Sequence, residues 1–302
     1  MKRTFSMAVC GAVAVGGLFA GCTTSTPGTQ ATGEPPLGTI PVISTPEQVS
    51  LPIYSFLPTV DQTVSLMMED RALVNQCAQE NGSTEQAIVQ TMDFHGDTGG
   101  QATPSDLAEY ATTYRAEDVT YSGMWGFFDP ETVSQYGYNR PPDSQFTLST
   151  YVGQTGSALN DCVNRVSEIT PGKSAMGQVM ISSLPDGGPA WHSDDSRYVA
   201  VEQEWSTCMK GKGFTYDTPW AALGDNSRPT DDQTRAKAVA LADVDCKIST
   251  NLLGEAVAVQ SAYEQLYIDS HRDALAKWQQ YLNDYLAGNI KLPPSPTSAT
   301  PS

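Results

Sequence analysis

The segment from Asp231 to Ala287 runs without a single proline, and this constrains the rest of the chain more than any other feature. Within it Leu241, Val244, Ile248, Leu252, Ala256, Val259, Tyr263 and Leu266 recur at steps of three or four, the period of a helix that buries one stripe. Thr230 and Gln233 form a capping box, and Asp231 and Asp232 put negative charge in the first turn. Gly288 follows the last apolar residue, ahead of Pro293 and Pro294. Read as one helix, the segment is roughly 85 Å long at about 1.5 Å per residue. That exceeds the width of a compact domain of this size, so the expectation is a kink, with Gly254 a candidate, or one projecting end.

Shorter helices are expected upstream. Thr59 and Gln62 make a second capping box before Val60 to Glu80, where Val60, Val64, Met67, Val74 and Cys77 share a face and Asn81-Gly82 stops the run. Pro104 after Thr103 and Pro130 after Asp129 read as helix starts, the second helix ending at Gly137. Leu159, Cys162, Val163, Val166 and Ile169 repeat the helical spacing, as do Tyr198, Val201, Trp205 and Cys208 on a helix opened by Asp194, Asp195 or Ser196. Residues 139 to 152 and 214 to 220 suit short extended pieces, and no sheet is expected. The fold class is therefore all-α, a mainly helical domain packed on one long C-terminal helix.

The N-terminus has a different grammar. Lys2 and Arg3 precede an apolar run from Met7 to Ala20, shorter than the ~20 residues a membrane span needs. It reads as an export signal ending Leu18-Phe19-Ala20-Gly21-Cys22. That ending resembles a bacterial lipobox, in which the cysteine is lipidated and becomes the mature N-terminus; Phe19 departs from the leucine usual three places before it. Residues 1–21 are thus expected to be a lipoprotein signal peptide. Residues 22–50 are expected to be the lipidated Cys22 and a tether rich in Thr, Ser, Pro and Gly, spanning about 30 Å as a flexible coil. A disordered Pro/Ser/Thr tail is expected over 293–302.

Charge narrows the partners. Removing Lys2 and Arg3 leaves 15 basic against 34 acidic residues, a net charge of −19. Such a field argues against nucleic acid and against polyanionic wall polymers, and it favours solubility and cationic partners. With Cys10 lost in the signal and Cys22 lipidated, Cys77, Cys162, Cys208 and Cys246 remain. An even number in an exported chain suggests two disulfides. Cys77 and Cys208 each have a glycine five residues on, whereas Cys162 and Cys246 each follow an aspartate. This alternation favours Cys77 with Cys162 and Cys208 with Cys246, and two related halves, 51–172 and 173–292, in the domain spanning 51–292. The other pairings stay open. A four-thiolate zinc site lacks the close spacing such sites use, and no metal or cofactor is expected.

Three runs carry a resemblance: Leu73-Val74-Asn75-Gln76-Cys77, Trp205 to Phe214, and Ala240 to Lys247, together with the segment from Asp129-Pro130 to Tyr138. Over roughly residues 55 to 290 the chain resembles a group of exported lipoproteins of actinobacterial cell envelopes, a group without an assigned activity. The resemblance implies placement and disulfides, and it transfers no catalytic residue.

Catalytic signatures are weak. His95, His192 and His271 are the only histidines. Asp93-Phe94-His95-Gly96-Asp97 begins like a calcium loop, yet Thr98 stands where glycine is needed and Pro104 where a bidentate glutamate is. Trp191-His192-Ser193-Asp194-Asp195 holds triad residue types as neighbours in sequence, which does not supply convergence in space. Tyr263, Tyr267, Trp278, Tyr281 and Tyr285 fall on one line of the long helix. That stripe is either core or a partner-binding face suited to an envelope protein or glycan. The expectation is a non-catalytic binding or scaffolding lipoprotein, anchored by lipid at the extracytoplasmic face of the plasma membrane. The competing expectation is a cell-envelope hydrolase using a carboxylate or a His192-containing site.

Overall fold

The computed structural model describes residues 33–92, 98–120, 128–139, 147–151, 153–173, 179–225 and 233–293. The chain is mainly helical. Local sequence sets most of the helix starts. The helix α1 (Val60–Glu80) opens with the expected reciprocal cap: the Thr59 hydroxyl accepts from the Gln62 N–H at 3.2 Å, and the Gln62 side chain accepts from the Thr59 N–H at 2.9 Å. It ends at Asn81 and at Gly82, whose φ of +78° suits only glycine. α2 (Pro104–Thr120) follows Thr103, whose N–H and hydroxyl both donate to Asp106. Asp129 caps α3 (Pro130–Tyr136), Ser157 caps α4 (Ala158–Ser167), Asp195 caps α5 (Ser196–Gly211) and Thr218 caps α6 (Pro219–Leu223).

The expected long C-terminal helix is three helices: α7 (Gln233–Ser249), α8 (Leu252–Ser270) and α9 (Arg272–Leu286). The first break falls three residues before Gly254, at Asn251, which adopts a left-handed conformation (φ 52°, ψ 35°) that asparagine tolerates better than most residues. The second is at His271. The capping box at Thr230, with Asp231 and Asp232, lies outside the described residues.

Two further expectations are corrected. Antiparallel pairing joins β1 (Ile88–Met92) to β2 (Thr98–Gln101) and to β3 (Thr147–Tyr151) in the order β2-β1-β3. Only β3 falls in a stretch expected to be extended, because β1 and β2 lack a clear alternation of apolar and polar residues. The tether also ends earlier than residue 50. From Pro35 onward the chain belongs to one compact unit. Residues 35–57 form a strap across the C-terminal helices, with Ile43, Leu51 and Ile53 at 1, 3 and 0 % exposure in the main core. Its Pro, Thr and Gly content looked like a linker. Three spaced aliphatics were enough to bury it.

Asn251 shows how the strap is seated. Its amide donates to the Pro41 carbonyl at 2.9 Å and its oxygen accepts from the Ile43 N–H at 3.2 Å, a side-chain imitation of strand pairing. The strap lies so close to α8 that a Cβ on Gly254 would stand 2.0 Å from the Pro41 carbonyl oxygen. Gly254 therefore serves close approach, while the kink belongs to Asn251.

Disulfides join Cys77 to Cys162 and Cys208 to Cys246, tying α1 to α4 and α5 to α7. This is the pairing the sequence contexts favour, and it consumes the thiols a zinc site would need. The core nonetheless crosses the 172/173 boundary. Leu66 of α1 packs with Leu282 and Tyr285 of α9, and Phe128 joins the cluster around Trp205, Met209 and Leu253. At the C-terminal end Leu292 packs beside the Cys77–Cys162 cluster and the Pro293 carbonyl accepts from Arg165, so the tail cannot begin before residue 294; residues 294–302 lie outside those described.

Candidate functional site

The aromatic stripe of α8 and α9 is spent on the fold. Tyr263 stacks on His192 with ring centroids 3.6 Å apart, and Tyr267 stacks on His271 while donating to the Pro185 carbonyl at 2.5 Å. Trp278 donates to the Phe56 carbonyl at 2.9 Å, Tyr281 to the Ile169 carbonyl at 2.7 Å, and the buried Tyr285 to Asp70. Their ring faces pack on irregular chain whose carbonyls need donors, and Tyr and Trp supply both. Trp278→Ala should lower stability by about 2 to 4 kcal/mol in denaturant unfolding, since it removes a packed ring and strands the Phe56 carbonyl.

The triad-like run also dissolves in space. Asp195 is buried and grips Arg197 twice, with Nη2 to Oδ2 at 2.6 Å and Nε to Oδ1 at 2.9 Å, and these bonds hold its carboxyl below the usual range. His192 lies flat on Tyr263, and Ser193 and Asp194 face solvent. His271 Nδ1 donates to the Tyr267 carbonyl at 2.8 Å, and its Nε2 lies 3.2 Å from Asp186. The segment Asp93 to Asp97, with His95, lies outside the described residues, as does the lipidation candidate Cys22. Among the described residues no group of three or more His, Cys, Asp or Glu is placed to hold a metal.

Three buried polar networks, by contrast, escaped sequence reasoning. Asp243 and Lys247, at 0 and 1 % exposure, pair at 2.8 Å; Asp243 also accepts from Trp205 Nε1 at 3.0 Å and from the Tyr138 hydroxyl at 2.9 Å. Burial pushes the aspartate up and the lysine down, each against the pull of the other. Asp70 accepts from the Thr170 hydroxyl at 2.6 Å as well as from Tyr285. Glu264, fully buried, accepts from the Ile53 N–H at 3.0 Å and from Gln260 at 3.1 Å, and burial pushes its carboxyl up to about 7. A carboxyl titrating there suits an acid catalyst. No substrate reaches it, because the strap covers it.

The recess open to solvent lies elsewhere. Gly213, Phe214, Thr215, Tyr216, Ala221, Asp225 and Arg235 line a cleft of about 450 Å³ between the end of α5, α6 and the start of α7. Phe214 bonds back through its N–H to the Met209 carbonyl, a turn enabled by Gly213 at φ +88°. The Tyr216 hydroxyl donates to Asp225 at 2.8 Å and so fixes one wall. The lining offers ring faces, a guanidinium, a carboxylate and a hydroxyl. None of the lining residues is a histidine or a cysteine. These residues carry no sequence signature of a site, since a turn with two aromatics reads like any other. Comparison with protein-family models, curated proteins and solved structures finds no match to this chain. No helix among the described residues is long and apolar enough to cross a membrane.

Proposed function

We propose that the chain is a lipid-anchored extracytoplasmic protein of the cell envelope that binds or scaffolds a partner and performs no catalytic step. The observation that carries this reading is the pair of disulfides, since such bonds persist in exported proteins and are rare in a reducing cytosol. The charged start at Lys2 and Arg3, the apolar run to Ala20 and Cys22 supply the export signal and the lipid site that an oxidised, anchored domain needs. The resemblance to actinobacterial envelope lipoproteins points the same way. Recognition is assigned to the cleft around Phe214, Tyr216, Asp225 and Arg235, whose mixed polar and aromatic lining suits an envelope protein or glycan. Both described histidines are engaged within the fold, which favours binding over the hydrolase alternative.

Cys22→Ser tests the anchor. The expected outcome is a shift from the membrane fraction to the medium or to an unprocessed precursor, read by fractionation and by the mass of the N-terminal peptide. A variant that remains processed and membrane-bound overturns the reading.

A further inference from the structure

Glu264 holds the strap with a group that can change charge. Other fastenings to the C-terminal helices include neutral groups: Asn251 on Pro41 and Ile43, Trp278 on the Phe56 carbonyl, and Gln279 on the Ser55 carbonyl at 3.3 Å. Glu264 takes the Ile53 N–H with one oxygen and Gln260 with the other, and Gln260 also reaches the Ala190 carbonyl at 3.4 Å. Gln260 Oε1 is buried with no hydrogen-bond partner among the described residues. A 180° amide flip would give up the Ala190 bond and turn that oxygen towards Glu264, ready to accept the proton of a neutral carboxyl. An ionised carboxyl leaves it orphaned.

We propose that Glu264 is a proton-operated latch: neutral, it lets the strap seat on α8, and ionised, it loosens the strap so that water can reach the carboxylate. The strap is the cover that yields because it has no strand or helix ladder with its neighbours, whereas α5, α7 and α9 are complete helices packed on α8. The charged groups described on those elements have partners of their own or face solvent. On α5 and at its cap, Asp195 holds Arg197, which also donates to the strap's Pro35 carbonyl at 2.7 Å, and Glu202 faces Tyr198. On α7, Asp243 and Lys247 neutralise one another; at the start of α9, Arg272 pairs with Asp269 at 2.7 Å, while Asp273 and Lys277 are exposed. The turn Pro52–Phe56 carries no charge, and in the loop above, Asp186 pairs with His271 while His192 lies on Tyr263. Burial, the Ile53 N–H and the Gln260 amide are what set the ionisation of Glu264.

The sign follows from proton counting. With the carboxyl raised from 4.5 to about 7 in the closed state, the closed state binds more protons than the open one between those values. Closure is therefore strongest at and below about pH 4.5, weakens as pH rises through the window, and levels off above about 7. Between pH 5 and pH 8 the opening constant should rise about 50- to 100-fold.

Amide hydrogen exchange on the full chain, corrected for intrinsic rates, tests this. The expected result is that protection over residues 43–57 falls by that factor between pH 5 and pH 8, while the amides around Met209 hold and Glu264→Gln removes the dependence. The wild type alone gives a second measurement, because the loss must share its midpoint with the titration of the Glu264 side-chain carbon. Strap protection that ignores pH, that falls equally in Glu264→Gln, or that falls in step with the Met209 amides overturns the latch. The latch does not depend on the lipid anchor, so its failure leaves the Cys22 reading standing.

Discussion

Lys247→Met should be among the most damaging single changes in this chain, lowering stability by about 3 to 5 kcal/mol in urea unfolding near pH 7. The lysine is 1 % exposed and its ammonium pairs at 2.8 Å with Asp243, itself fully buried. Removing the ammonium leaves a carboxylate that burial already pushes up, with Trp205 and Tyr138 as its remaining neutral donors. The deficit should shrink as pH falls towards 4, because protonating Asp243 removes the stranded charge. Adding Asp243→Asn to Lys247→Met should recover most of the loss, to within about 1 to 2 kcal/mol of the wild type, since a buried ion pair contributes little net stability once both charges are gone. Equal instability of the single and double variants would show that the network matters for shape and not for charge.

The second large effect belongs to the staples. Cys77 and Cys162 close a loop of 85 residues, Cys208 and Cys246 one of 38. Loop-closure entropy assigns these about 4.5 and about 4 kcal/mol. Replacing Cys77 and Cys162 together by alanine should therefore cost up to about 4.5 kcal/mol, measured against the intact protein in denaturant. Graded reduction should open the bonds in the other order. Cys77 and Cys162 are each 1 % exposed, and Arg165 lies 3.3 Å from the Cys77 sulfur with the Pro293 carbonyl on its other nitrogen. Cys208 is only half-buried. Alkylation mapping after mild reductant should find Cys208 and Cys246 labelled first.

Much of the helical skeleton is legible in the chain because caps are local. Thr59 with Gln62, Asp129 before Pro130 and Asp195 before Ser196 each depend on neighbours within a few residues. A kink near Gly254 is legible, but its seat at Asn251 and the second break at His271 are not, for the opposite reason. Asn251 turns left-handed because its side chain docks a strap 208 residues away, and nothing near it in sequence reports that contact. The buried acids left a fainter trace. Gln260 and Glu264 continue the four-residue line of Leu252 and Ala256, and Asp70 stands between Met67 and Val74 on the apolar face of α1. A polar residue inside an apolar stripe signals a buried network, and reading those positions as such would have found three of the groups that matter. The cleft left no trace, since its walls are brought together from the end of one helix and the start of another.

The strap has a consequence for the order in which the molecule is assembled. Its fastenings join Ile43 to Asn251, Ile53 to Glu264 and Phe56 to Trp278, across 208, 211 and 222 residues. A chain that is made and delivered N-terminus first presents these residues at the outset and their partners almost at the end. Ile43, Leu51 and Ile53 therefore travel unpaired until α8 and α9 have followed, and such distant pairings are slow to form and prone to mispairing while they wait. Closure of the strap therefore waits on α8 and α9 and comes late in any N-to-C assembly of the chain. A chain stopped after Ser249 has every strap residue and none of these three partners, and it has nowhere to put them.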